Sequence, residues 1–205
     1  MKNITLLGNS IYFYKLIKLV YPDSIISIQS WRSIKKNYKK KQCKIDIIIV
    51  CGYDYQSYGY DFKKFLKCNV AKPLGYLKAH ATASTRIIYI NTAFSSKTIT
   101  YSRYEYAKNI LAYSIKSKFR SAEILSLPLI LDDRFSTPVK GGVVARFIIN
   151  KLIAHNLIKT INTSQIIKLL ENNSKSNKKI QRMDERLLSI PRNQFIDRIL
   201  RLSND

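Results

Sequence analysis

Cysteine is scarce. Cys43, Cys51 and Cys68 are odd in number and show no Cys-x-x-Cys spacing, which argues against a disulfide framework or a cysteine zinc site and leaves three reduced thiols. Only two imidazoles are present, His80 and His155, in no metal-ligand spacing, so no metal site is assigned. Six glycines and five prolines leave no room for low-complexity linkers, and no internal repeat is evident. Long apolar runs are missing too. The longest, around "IDIIIVCGY", is far too short to span a bilayer, and "MKNITLLGNS" lacks the apolar stretch and cleavage site of a secretory signal. The default expectation is therefore a cytoplasmic protein of one globular unit.

Acidic residues are also few, 13 against 36 Lys and Arg, for a net charge of +23. The excess gathers in "WRSIKKNYKKKQCK", with seven basic residues and no acid, and again over the last thirty residues. Such a field attracts phosphates, nucleic acid or anionic headgroups. No zinc-finger spacing or RNA-binding signature accompanies it, and a Lys-, Ile-, Asn- and Tyr-rich composition also arises from A/T-biased codons. The expected partner behaviour is a weak, salt-sensitive association with anionic surfaces, without a specific nucleic-acid site.

An apolar fraction of 46% argues for a packed core. "NITLLG" reads as a strand ending in glycine, and "NSIYFYKLIKLVYPD" as a helix stopped by Pro22. "SIISI" is a second strand, "SWRSIKKNYKKK" a short solvated helix, and "KIDIIIVCG" a strand apolar on both faces, which implies a parallel sheet. A helical stretch from about Asp61 to Ala83, interrupted at Pro73, leads into the strand "TRIIYIN". A helix over roughly Ser102 to Ser117 and a strand in "SAEILSLPLIL" follow. Alternating strands and helices predict a doubly wound parallel α/β sheet. Beyond Pro138 the pattern turns helical, in "GGVVARFIINKLIAH", in "TSQIIKLLENN" with Ser164 as N-cap, and in "PRNQFIDRILRL". The expected organisation is a main domain over 1–160 and a small helical extension over 161–205 packed on it.

Three Tyr-x-x-x-Lys pairs occur, Tyr14/Lys18, Tyr60/Lys64 and Tyr104/Lys108; with 14 tyrosines and 25 lysines, roughly two are expected by chance, so the spacing selects nothing. Placement does. In a doubly wound sheet, ligands sit at the carboxyl ends of the strands. Tyr104/Lys108 is the pair whose helix follows a strand ending in a hydroxyl residue, Thr92. Four residues apart, Tyr104 and Lys108 project from one helix face. A neighbouring ammonium favours phenolate, so Lys108 is expected to lower the Tyr104 phenol from about 10 and make it a usable acid/base, with Thr92 fixing the same substrate oxygen.

With those residues in place, the chain resembles the short-chain dehydrogenase/reductases, and within them the NAD-dependent epimerase/dehydratase branch that acts on nucleotide sugars. The resemblance covers roughly residues 3 to 150. "RIIYINTAFSS" is similar to the strand that delivers the family's catalytic Ser/Thr, here Thr92, and "YEYAK" to its Tyr-x-x-x-Lys. "CNVAKPLGYLKAHA" resembles the helix bearing a structural or proton-relay asparagine, here Asn69. "AEILSLPLIL" resembles the strand whose proline, here Pro128, lies by the nicotinamide. The resemblance implies a Rossmann-like fold and NAD or NADP held by Gly8, Asn9, Ser10 and Ile11, by Arg32, by Cys51 and Gly52, and by Pro128. The implied substrate is a nucleotide-linked sugar, in surface-polysaccharide biosynthesis, and a homodimer is the assembly left open.

The departures cluster at the cofactor. Ile11 and Tyr14 stand where two glycines of the family's first turn belong, and a branched Ile11 is expected to obstruct the usual dinucleotide pose. Gln29 ends the second strand in place of an acid, and Arg32 is the residue left to meet a 2′-phosphate. The stretch between the second strand and "DIIIV" is short for the family. Ser126 replaces a common arginine, and the segment after Thr92 lacks Val-Tyr-Gly. The alternative reading is a catalytically silent relative that keeps the fold as a binding or scaffold module; Thr92, Tyr104 and Lys108 favour the enzyme, Ile11 and Tyr14 the silent relative.

Overall fold

The computed structural model describes residues 1–33, 44–92, 103–131, 150–151, 153–154 and 160–172. Five strands, β1 (Asn3–Leu7), β2 (Ile25–Gln29), β3 (Ile47–Val50), β4 (Arg86–Thr92) and β5 (Glu123–Leu127), form one sheet in the order β2-β1-β3-β4-β5. Every pairing is parallel. The continuous apolar runs follow from this, because successive side chains of an inner strand enter cores on opposite faces. Ile48, Val50, Ile87 and Tyr89 point to one core, and Ile47, Ile49, Ile88 and Ile90 to the other. The fold is the expected α/β doubly wound sheet of Rossmann type.

Helix α1 (Ile11–Val20) covers one face through Phe13, Leu16 and Ile17. The opposite face is covered by α2 (Phe62–Leu66), α3 (Lys72–His80) and α4 (Arg103–Lys118), with Phe65, Leu74, Leu77, Ile110 and Leu111 buried against the strands. Pro73 does not interrupt the helical stretch as expected. Between α2 and α3 the chain makes a π turn over Lys67–Ala71, in which the Lys72 N–H donates to the Lys67 carbonyl five residues back. The next step would need an N–H at Pro73, which has none, so the Cys68 carbonyl is released from the helix. The Trp31 indole N–H takes it up at 3.1 Å.

A second expectation fails at Pro128. "SAEILSLPLIL" is two strands, because proline cannot donate to a ladder. The chain leaves β5 after Leu127, and β6 (Leu129–Leu131) pairs in parallel with β7 (Thr160–Asn162) in a separate two-stranded sheet. The residue-160 boundary thus falls inside a strand. Helix α5 (Thr163–Asn172) then opens on Asn162 where Ser164 was expected. The Asn162 side chain accepts from the Gln165 N–H at 2.9 Å and Gln165 Oε1 accepts from the Asn162 N–H at 3.0 Å, a reciprocal capping box. Ile166 and Leu170 of α5 are buried in the α1-side core, and Tyr21 donates to the Leu170 carbonyl at 3.3 Å. The basic segment 34–43 and the helix expected over 191–202 lie outside the described residues; of the helix expected over 141–155, residues 150, 151, 153 and 154 are described and are helical.

In this order the chain crosses from one side of β1 to the other between β2 and β3, which makes the carboxyl ends of β1 and β3 the switch point where such sheets bind ligands. The amino-terminal edge is fastened by Arg86, which donates to both carboxylate oxygens of Glu123 at 2.7 and 3.0 Å. The candidate site lies at the other edge.

Candidate active site

Thr92 is the last residue of β4 and Tyr104 lies in the first turn of α4, which brings Thr92 Oγ1 and the Tyr104 phenol to 3.0 Å. Thr92 pairs in register with Leu127, so Pro128 stands at the same edge. These three residues share one rim. The phenol is also enclosed by tyrosines from the segment after β3. Tyr53 meets the Tyr104 ring edge-on at 4.7 Å, and Tyr55 lies nearly parallel to it at 6.2 Å. Burial, with help from Tyr55 and Tyr58 and against the Thr92 hydrogen bond, pushes the phenol up to about 12.

That direction corrects the expectation that Lys108 lowers it. Lys108 is 4% exposed, one turn further along α4, and its ammonium donates to the Ile90 carbonyl at 2.6 Å while lying 4.6 Å over the Tyr89 ring. Burial drives its amine down to about 8, opposed by the Cys51 thiol, and burial pushes that thiol up to about 12. The lysine is thus built into the floor beneath the pair.

A buried base whose folded value lies below its unfolded one costs stability at low pH and costs less as pH rises through the folded value toward the unfolded one. Against Lys108→Met, which keeps length and loses charge, the wild type should therefore gain on the order of 1 kcal/mol between pH 7 and pH 9. Paired urea titrations at the two pH values check this; equal pH profiles would place the ammonium in water.

Asn69 sits in the π turn, 1% exposed, and its side chain faces protein on every side. It accepts from the Asp54 N–H at 2.8 Å and donates to Ser57 Oγ at 2.7 Å and to the Phe65 carbonyl at 3.1 Å. Of the structural and proton-relay roles open to it, the bonds it makes are structural: it shapes the turn that carries Tyr53, Tyr55 and Tyr58. Those tyrosines and Asp54 went unassigned in the sequence, although the run "YDYQSYGY" directly after an inner strand marks a segment at the ligand edge.

At the switch point, Gly8 has φ +133°, and a Cβ there would meet Gly52 N at 2.6 Å and Gly52 Cα at 2.8 Å. The two backbones touch because Gly8 carries no side chain. Cys51 continues from β3, its N–H donating to the Leu7 carbonyl at 2.9 Å. Asn9 is exposed, and Ser10 caps α1 by accepting from the Phe13 N–H at 3.3 Å. Ile11 opens the helix at the carboxyl edge, as expected, with 72% of its surface in solvent. Tyr14 packs into the α1-side core. Arg32, expected at a 2′-phosphate, instead donates from Nε to Asp54 Oδ1 at 2.9 Å. Among the described residues no group of three His, Cys, Asp or Glu side chains could hold a metal ion, and no helix is long and apolar enough to cross a membrane.

No family model and no curated protein sequence matches the chain. Solved structures do. The PhqB reductase domain from Penicillium fellutanum is similar over 86% of this chain and 65% of its own length, at 12% identity and a TM-score of 0.55. The ADP-L-glycero-D-manno-heptose-6-epimerase of Helicobacter pylori is similar over 82% of this chain and 71% of its own, at 10% identity and a TM-score of 0.54. The chain shares the fold of these two enzymes. A GDP-L-fucose synthetase from Naegleria fowleri, solved with NADP, matches over 82% of this chain and 67% of its own at 12% identity and a TM-score of 0.47. The chain therefore spans about two thirds of the first of these reductases.

Does a site of this make suit a nicotinamide cofactor? Gly8 gives the left-handed turn after β1, but the space beside it is filled by the Gly52 backbone and the space beside Gly52 by the Trp31 ring, so neither glycine offers an open cradle to the pyrophosphate. The rim of Thr92, Tyr104 and Pro128 supplies hydroxyls and an edge for the reacting end. The rim fits the nicotinamide end of the group, and the glycine turn adds no cradle for the rest.

Proposed function

We propose that the protein is a divergent nicotinamide-dependent oxidoreductase or epimerase acting on a carbonyl or hydroxyl of a nucleotide-linked sugar. The observation that carries this reading is the 3.0 Å pair of Thr92 and Tyr104 at the carboxyl edge of β4. A bound nicotinamide would supply or accept the hydride. Thr92 holds the substrate oxygen, Tyr104 donates to or accepts from that oxygen, and Lys108 fixes the base of the pair through Ile90. Asn9, Ser10, Ile11 and Pro128 line the cofactor's course, on the turn that Gly8, Cys51 and Gly52 pack beneath. The soluble sugar-nucleotide setting, a cytoplasmic location, a role in surface polysaccharide and a homodimer belong to the same proposal and rest on the resemblance.

The phenol of about 12 favours a second reading, a catalytically silent module that binds the sugar nucleotide without turning it over. Incubation with reduced cofactor and a panel of nucleotide-linked sugars separates the two. The enzyme reading expects wild-type turnover that is lost in Tyr104→Phe; a panel in which sugars bind and none is converted would leave the binding module.

A further inference from the structure

Two residues beyond the end of β2 the chain turns its single tryptophan inward. Trp31 is 4% exposed, and its ring lies on Gly52 so closely that a Cβ there would meet the indole at 2.1 Å. The indole N–H is bonded to the Cys68 carbonyl that Pro73 releases. The turn is held from both sides: Gln29 donates to Ser33 Oγ at 2.9 Å, and Arg32 is paired with Asp54. A dinucleotide on this topology lies across the switch point, with its adenosine ribose beside the residue ending the second strand, about 20 residues past the first-turn glycine. Here that residue is Gln29, and the neighbouring surface of Gly52 is taken.

We propose that Trp31 stands in for the adenosine half of the cofactor, so that the site recognises the nicotinamide mononucleotide half alone. The inference rests on the nicotinamide reading above. An indole fixed by a hydrogen bond and stacked on a glycine fills the apolar slot that a purine would otherwise fill. Arg32 gives its Nε to Asp54 at 2.9 Å, which ties this turn to the segment after β3. The adenosine of NADH or NADPH then extends into solvent and contributes little.

The test compares NADH with reduced nicotinamide mononucleotide on the full chain, by calorimetry, for wild type and Trp31→Ala. The wild type should bind the two nucleotides within about threefold of one another, while Trp31→Ala should tighten NADH by about tenfold and leave the mononucleotide unchanged. Because Trp31 is the single tryptophan, its emission should keep its buried, blue-shifted maximum on saturation with NADH. A wild type preferring NADH by more than about tenfold, or an emission maximum that moves to the red on binding, overturns the proposal while leaving the nicotinamide reading intact. Failure of either nucleotide to bind either protein overturns both. Should Trp31→Ala fail to fold by circular dichroism, Trp31→Phe keeps a ring on Gly52 and should match the wild type, and the wild-type comparison decides.

Discussion

Tyr104→Phe is expected to lower turnover by a factor of about 10² to 10⁴ while leaving the protein folded. The substitution removes one hydroxyl. The ring keeps its contacts with Tyr53 and Tyr55, while the hydroxyl's 3.0 Å bond to Thr92 and its bond with Tyr55 are lost, worth about 1 kcal/mol each in a half-buried site. Activity should respond far more than stability because this hydroxyl, 3.0 Å from Thr92 Oγ1, is placed to pass a proton to a substrate oxygen held by Thr92. Tyr53→Phe serves as the control, since it keeps the edge-on ring and leaves the Thr92–Tyr104 pair standing. Steady-state rates by reduced-nicotinamide absorbance, beside urea midpoints, check the claim. Undiminished kcat in Tyr104→Phe would remove the phenol from the chemistry.

The largest stability effect is expected at Gly8. Its φ of +133° is one that L side chains rarely adopt, and an added Cβ would come within 2.6 Å of the Gly52 backbone nitrogen, which cannot rotate away. Strain and overlap together should cost about 3 kcal/mol or more, a large part of the 5 to 15 kcal/mol of a typical domain. Gly8→Ala should therefore unfold at much lower urea or fail to accumulate as folded protein. Gly59→Ala is the matched control, because nothing lies within 4 Å of a Cβ there, and it should stay within about 0.5 kcal/mol of wild type. Equal midpoints for the two variants would mean that β1 and β3 do not meet as described.

The parallel sheet was legible because its strands are apolar on both faces, as in "IDIIIV", and a fully buried strand has no alternation to mislead. Helix α4 and the partnership of Thr92 with Tyr104 were legible for a related reason, since strand order alone brings the end of β4 to the start of α4. What could not be read depended on single hydrogen bonds. The release of the Cys68 carbonyl at Pro73 is a π-turn effect without a sequence period, and the split at Pro128 depends on which strand β6 finds next. The direction of the Tyr104 phenol was missed because helical spacing predicts that Lys108 is near, while only packing decides that its ammonium turns to Ile90. Trp31 was invisible as a ligand-edge residue for the same reason: its target is the missing side chain of Gly52, far away in sequence.

Saturation-transfer NMR of NADPH with the wild-type protein tests most directly the claim that this edge of the sheet receives a nicotinamide. Saturation spreads from the protein to ligand protons that touch it. The nicotinamide ring protons should be saturated strongly, by contact with the rim of Thr92, Tyr104 and Pro128, and the adenine protons weakly, because Trp31 holds their place. A spectrum without transfer to the nicotinamide protons at any protein concentration would contradict the account.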